Sequence, residues 1–522
     1  MLDPVNVYET HIGARILDFL DARTPWHRQL WNIGLSLSLQ EVLEAVTAVR
    51  AGVLSHAALD FLAASVQKHV GTDPGAGTEH ERKALQAALR SKLRPDGLDY
   101  HVVAQQQSAL APVYLSRWAD ALRQGTPPGV ERVARAIVSH LLDTGFSSDY
   151  LHRWWSFRLR YEPGVRPLAE IVADAQALAL TQKRTFEILV PIETAIRVQP
   201  GLTIPEWRSS AQVSDWLRAN KSDASGVRQD GGFVFAVDAL DPEAAVAQCS
   251  EMLDQLVARM AVGTRRTLKP LGHVWIKAEP SPFARDRKRR GVWVEALERE
   301  HQLYNSRPSG SIDAAIELLS HLQTSSPPAA VAGGWAAIEA LLSEPDDRAG
   351  AAERLAMLVA CSFPRAELTR LSYVLEKKDT AFAAQVASIT ENRRRCEMMS
   401  AVLSTSPLNA ALGPSDLAAA ARMKKLLKNP QAVLRDVTDH AGTAFRRMYR
   451  QRNLVLHWGK TDAVALRASL RTAAPLVGAG LDRIIHAYYV DHLSPLQLVA
   501  RAKLALTTVG TSGGSSPTSL LG

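Results

Sequence analysis

The sequence predicts a mainly α-helical chain in which a small central α+β module separates an N-terminal helical region from a C-terminal helical bundle. Three observations carry this reading. Apolar residues recur every three or four positions over most of the 522 residues. Short runs rich in β-branched and aromatic residues, bounded by Gly, Pro or Asp, gather in residues 186–300 and their immediate approach. The helical pattern then resumes near Ser311 and lasts almost to the end.

Taken in order, residues 1–185 read as helices joined by Pro/Gly turns, for example "SLQEVLEAVTAVRAGVLSHAALDFLAASVQ" and "GVERVARAIVSHLLDTG". Trp26, Trp31, Trp118, Trp154 and Trp155 are read there as core or interface. In the central module "RTFEILVPI", "GGFVFAVDAL", "HVWIKAE" and "GVWVEAL" have the look of strands. Between the second and third, Asp241-Pro242 opens an amphipathic helix carrying Ala245, Cys249, Met252, Leu253 and Leu256. Residues 301–506 supply "SIDAAIELLSHLQ", "GGWAAIEALLS", "DRAGAAERLAMLVACSF", "PRAELTRLSYVLEKK", "PSDLAAAARMKKLLK", "VLRDVTDHAGTAFRRMYRQRNLVLHW" and "APLVGAGLDRIIHAYYVDHL" as helices. Their short connections allow neighbours to pack antiparallel. The Gly/Ser/Thr-rich residues 507–522 read as a disordered tail.

Composition narrows the function. A net charge of +8 with pI near 9.4 permits contact with polyanions without demanding it. Three cysteines, far apart, are unlike a disulfide framework or a zinc site. The N-terminal "MLDPVNVYETHIGARILDF" has acids and a proline where a signal peptide needs a basic start, and no stretch matches a membrane span. A cytoplasmic protein without a membrane partner is expected. The signatures of P-loops, Rossmann folds, zinc hydrolases and serine hydrolases are absent, so no cofactor and no metal is expected. Two basic clusters, Arg285, Arg287, Lys288, Arg289 and Arg290 in "FARDRKRRGVW" and Arg393, Arg394 and Arg395 in "NRRRC", read first as solvated surface and second as tracks for phosphate.

One segment asks for more. "FRRMYRQRNLVLHWGK", residues 445–460, carries five basic side chains and no acidic one. Helical spacing aligns Phe445, Met448, Tyr449, Arg452, Val455 and Leu456, which sets Arg452 on or beside the buried stripe. A guanidinium there needs an anion, and its planar fork suits a carboxylate or a phosphate. His457 lies about 140° around a straight helix from Arg452, so the two share a face only if the helix ends. Gly459 provides that end, leaving His457 in a last turn whose dipole favours the imidazolium. Taken alone, the segment reads as a cationic final turn with a satisfied histidine.

The segment also resembles the R-x4-6-H signature of the HEPN superfamily, here Arg452, Asn453 and His457. "YRQRNLVLHWG" is similar to the Apea-like branch, and "GGWAAIEALLSEPDDRAGAAERLAMLVA", with Trp335 and Glu339 on one helix, resembles its first helices. The resemblance covers roughly residues 300–490 and is nearly silent before 185. It implies a HEPN helical bundle paired about a twofold axis, as a homodimer or higher oligomer, with two motif copies facing one cleft. It implies a metal-independent endoribonuclease of the phage-defence or toxin type, its partner RNA, its N-terminal regions answering an unidentified phage or cellular trigger. His457 would be the general acid or base, Arg452 the stabiliser of phosphoryl charge and Asn453 an orienting group. Tyr449, Arg450, Arg446 and Lys460 would bind substrate, and Glu339 would hold Arg452 at rest. Two other readings stay open: a HEPN module that binds RNA or nucleotide without cutting it, and a helical scaffold with Arg452 buried against a carboxylate.

Overall fold

The computed structural model describes residues 4–124, 128–161, 166–193, 204–222, 227–264, 267–285, 289–307, 310–345, 347, 349–405 and 412–521. The chain is mainly helical with one small antiparallel sheet, as predicted. It divides into two compact units, one of Met1–Asp143, Trp155–Gln176 and Arg289–Gly522, the other of Thr144–Trp154 and Ala177–Lys288.

The smaller unit holds strands β1 (Arg184–Pro191), β2 (Trp207–Arg208), β3 (Gly232–Ala239), β4 (His273–Ile276) and β5 (Phe283–Ala284), in the order β2-β3-β1-β4-β5. Alternation along the strands builds two cores. Phe186, Ile188 and Val190 of β1 join Val274 and Ile276 beneath the helix Pro242–Gly263, through its Ala245, Cys249 and Leu253. Leu189 and Trp275, one residue out of phase, join Val213 and Leu217 of the helix Ser210–Ala219. The predicted start of the longer helix is realised: Asp241 caps it by accepting from the Ala244 N–H at 2.8 Å.

"GVWVEAL" is not a strand. Residues 291–297 belong to the larger unit, where Val292 exchanges backbone bonds with a side chain: its N–H donates to Gln323 Oε1 and its carbonyl accepts from Gln323 Nε2, both at 3.1 Å. The β-branched pattern is real, but an amide side chain takes the backbone bonds that a neighbouring strand would take, and Ala296 and Leu297 already open a short helix. Gly478 makes room for it, since a Cβ there would lie 2.7 Å from Trp293 N.

In the larger unit the helices from the two ends of the chain pack together. Charge explains much of it. Glu131 and Glu367 share Arg422, through bonds of 2.8 Å each, while Arg15 reaches Glu131 at 2.6 Å and Arg28 reaches Glu367 at 2.7 Å and Asp416 at 2.9 Å. Burial pushes the Glu367 carboxyl up, but Arg422 and Arg28, with His27, outweigh it and bring it down to about 2. Such a buried network is weak evidence for added stability but costly to break at one member.

The two predicted helices at 347–378 are one, Ala351–Glu376, with Pro364 inside. A proline in mid-helix costs about 3 kcal/mol, and here Phe363, Glu367, Leu368 and Leu371 bury the surrounding turns. The tail is ordered as far as it is described: Leu520 and Leu521 are buried, and Arg483 donates to the Leu521 carbonyl at 2.7 Å. Its composition reads as disordered because the two leucines that anchor it stand after the Gly/Ser run.

Among the described residues no helix is long and apolar enough to cross a membrane. All three cysteines are free and buried, and burial pushes the Cys249 and Cys361 thiols up to about 12.

Two buried histidines give a pH dependence. Burial lowers His27 and His140 from 6.5 to about 4 each. Between those values the unfolded chain binds the extra protons, so their contribution is present above pH 6.5 and is lost as pH falls toward 4. Asp73, raised by burial to about 6 from 3.8, works in the opposite sense over its own window. The urea midpoint is therefore expected to fall between pH 7 and pH 5, with a net loss on the order of 1–3 kcal/mol, and His140→Gln is expected to reduce that slope.

Candidate active site

The segment of interest ends the long helix Pro430–Trp458, here called the motif helix. Its start is fixed by Asn429, which accepts from the Ala432 N–H, and by Pro430 in the first turn. Its end is fixed by Gly459, which takes the left-handed conformation at φ 68° and ψ 14°. The Gly459 N–H donates to the Val455 carbonyl and the Lys460 N–H folds back to the Leu454 carbonyl, both at 3.1 Å. The turn predicted from glycine is thus in place.

The buried stripe is displaced from the predicted one. Phe445 and Met448 are buried, but the stripe continues through Arg447, Arg450, Gln451, Asn453 and Leu454, while Leu456 is 52% exposed. The reason lies far away in sequence. The helix Leu35–Arg50 brings Glu41 against this face, where Arg450 Nη2 donates to Glu41 Oε1 at 2.8 Å and Arg447 Nε to Glu41 Oε2 at 3.1 Å. Burial pushes the Glu41 carboxyl up, but Arg450 and Arg447 more than offset it and hold it below its ordinary value. Two guanidiniums on one carboxylate can therefore occupy a core position that spacing alone would assign to apolar residues.

This corrects one of the expected substrate contacts, Arg450; Arg446 and Lys460 are paired as well but stay partly exposed. Arg450 is buried on Glu41 and cannot meet a ligand. Arg446 pairs with Glu353 and lies over the Phe61 ring, 4.0 Å from its centroid. Lys460 donates to Glu44 at 3.0 Å and lies over the Trp458 ring. With Arg447 on Glu41 and Arg452 toward Glu339, each of the five basic side chains in 445–460 faces a carboxylate. The segment lacks acids, but its surroundings do not.

Arg452 keeps the loosest of these pairs. Its Nη2 stands 3.8 Å from Glu339 Oε2, and both side chains are 20% exposed. Its Nη1 donates to Asn453 Oδ1 at 3.0 Å and approaches His457 Nε2 at 3.1 Å. The long arginine side chain thus spans the angular gap that separates positions 452 and 457 on a helix. A guanidinium has no lone pair to offer, so a hydrogen bond across this contact uses the Nε2 lone pair as its acceptor. Glu339 Oε1 is buried and has no hydrogen-bond partner among the described residues. Glu339 and Trp335 come from one helix, Pro327–Leu342, and Trp335 meets the Tyr449 ring at 5.0 Å between centroids. Residues 335, 339, 449, 452, 453 and 457 are thereby brought together.

His457 is exposed, as are Leu456 and Trp458, the latter at 37%. The other basic clusters are mostly engaged. Arg395 is buried between Ser372, Glu376 and the Tyr373 ring, Arg393 and Arg394 pair with Glu391, and Arg290 donates to the carbonyls of Leu322 and Ser325. Arg287 and Lys288 lie outside the described residues.

Sequence reasoning missed Glu41 and Glu44. A signal was present: Leu37, Glu41 and Ala45 stand four apart on one helical stripe, and a carboxylate on an apolar stripe needs a cation. Among the described residues no cluster of His, Cys, Asp and Glu suits a metal ion. No protein-family model, no curated protein and no solved structure matches the chain.

Proposed function

We propose that the protein is a metal-independent endoribonuclease whose proton-transfer group is His457 and whose phosphate-binding group is Arg452. The observation that carries this reading is the contact of 3.1 Å between Arg452 Nη1 and His457 Nε2 at the exposed end of the motif helix. A cation and an imidazole so placed can act on one phosphodiester. A bound phosphate would draw the guanidinium from Nε2 and free that lone pair. Nε2 then takes the proton of the substrate 2′-hydroxyl, the 2′-oxygen bonds to phosphorus, and the P–O5′ bond breaks to leave a 2′,3′-cyclic phosphate. The departing 5′-oxygen takes a proton from a second imidazole, which a twofold copy of the chain would supply. Arg452 stabilises charge on the phosphoryl oxygens, and Asn453 orients the guanidinium.

A second reading, RNA or nucleotide binding without cleavage, is favoured by the carboxylates that face every basic side chain of the segment. The test that separates the two is the mapping of RNA ends in cells expressing the protein beside cells expressing His457→Ala: new ends confined to the first support cleavage. Arg452→Lys keeps the charge but loses the fork, so purified Arg452→Lys is expected to fold normally and cut RNA at least about tenfold more slowly. Equal rates would reduce Arg452 to a general electrostatic role. In mixtures with excess His457→Ala chains, activity is expected to fall below the wild-type fraction; strict proportionality would exclude a shared cleft.

A further inference from the structure

We propose that Glu44 is a positioning residue for His457: from the helix Leu35–Arg50 its carboxylate holds the loop that follows the Gly459 turn, so that this N-terminal helix sets where the imidazole stands. The inference rests on the reading of His457 as the proton-transfer group.

Glu44 is buried, with 5% of its side chain exposed, and it receives two donors from the loop. Lys460 Nζ lies 3.0 Å from Oε1, and the Val464 N–H donates to Oε1 at 3.2 Å and Oε2 at 3.3 Å. The helix that follows, Leu466–Val490, has no side-chain cap among the described residues, and a carboxylate near its start favours the positive end of its dipole. One turn before Glu44, Glu41 grips Arg447 and Arg450. The same N-terminal helix therefore holds the motif helix ahead of His457 and the chain behind it. Between the two grips Leu456, His457 and Trp458 are exposed. The left-handed Gly459 makes the loop's path sensitive to its anchor, because the next residue, Lys460, is itself one end of the tether. Lys460 is on this account part of the frame and not a contact for RNA.

Three measurements on Glu44→Gln test this, with Glu79→Gln as a control that removes an exposed carboxylate paired with Lys83 at 2.6 Å. Amide hydrogen exchange of residues 459–464 should quicken by about tenfold or more while the rest of the unit is unchanged. The His457 ring resonances should shift in Glu44→Gln and not in Glu79→Gln. RNA cleavage should lose about 10-fold to 10²-fold in kcat with KM unaltered, since the carboxylate touches no substrate. Should Glu44→Gln not fold, Lys460→Met removes the other end of the tether from a partly exposed position and is expected to give the same pattern; a rise in KM with kcat unchanged would instead return Lys460 to substrate binding and overturn the proposal. Unchanged exchange in 459–464, or faster exchange spread over the whole unit, also overturns it. If the wild-type chain cuts no RNA, the nuclease reading fails, and exchange and the His457 resonances still decide whether Glu44 places the imidazole.

Discussion

Replacing His457 by alanine is expected to lower RNA cleavage by about 10²-fold to 10⁴-fold, the range for loss of a general acid or base, while leaving the fold intact. The side chain is exposed, and among the described residues its one hydrogen-bonding contact is to Arg452 Nη1. A change at such a position usually moves stability by no more than about 0.5 kcal/mol. Single-turnover cleavage rates and a urea unfolding curve on the same preparation check both halves. A well-folded His457→Ala chain that cuts at the wild-type rate removes His457 from the mechanism.

The largest effect on stability is expected from Glu41→Ala. It leaves Arg447 and Arg450, 4% and 2% exposed, without their shared carboxylate, and stranding a buried charge costs about 3–5 kcal/mol. That is a large part of the roughly 5–15 kcal/mol that holds a typical domain together. Because the folded-state carboxyl is held below its ordinary 4.5, its contribution is fully present above that value and disappears as pH falls through the folded-state pKa. Denaturant curves at pH 7 should show the full deficit, and the gap to wild type should narrow in acid. A deficit within about 1 kcal/mol at pH 7 would mean that the two arginines find other partners.

What the sequence shows and hides follows from the distance over which each feature is determined. The helix start at Asp241, the left-handed end at Gly459 and the strands β1 and β3 are set by neighbours within a few residues, and pattern alone finds them; the start at Asn429 is missed, the pattern opening that helix only at Val433. Arg452, Asn453 and His457 lie within one segment, but Arg452 and His457 both stand inside the helix, so their contact depends on the reach of the arginine side chain and not on the end at Gly459. Glu339 enters only through the resemblance of its helix, since a guanidinium beside a buried stripe demands an anion without naming one. Arg450 is misread for the complementary reason: the acid that buries it, Glu41, stands more than 400 residues earlier, beyond any local pattern. "GVWVEAL" fails because its β-branched residues suit a strand locally, while the backbone bonds of Val292 go to the distant Gln323 and not to a neighbouring strand. The ordered end of the chain depends on two leucines, whose burial only the folded unit provides.

The chemistry of the RNA ends shows whether the 2′-oxygen attacks with help from His457 and Arg452. Purified wild-type protein, incubated in EDTA with an end-labelled RNA, is predicted to leave 2′,3′-cyclic phosphate and 5′-hydroxyl termini, with none appearing when the attacked nucleotide is 2′-deoxy. Products ending in 3′-hydroxyl and 5′-phosphate, or cleavage that EDTA abolishes, would contradict attack by the 2′-oxygen assisted by His457 and Arg452.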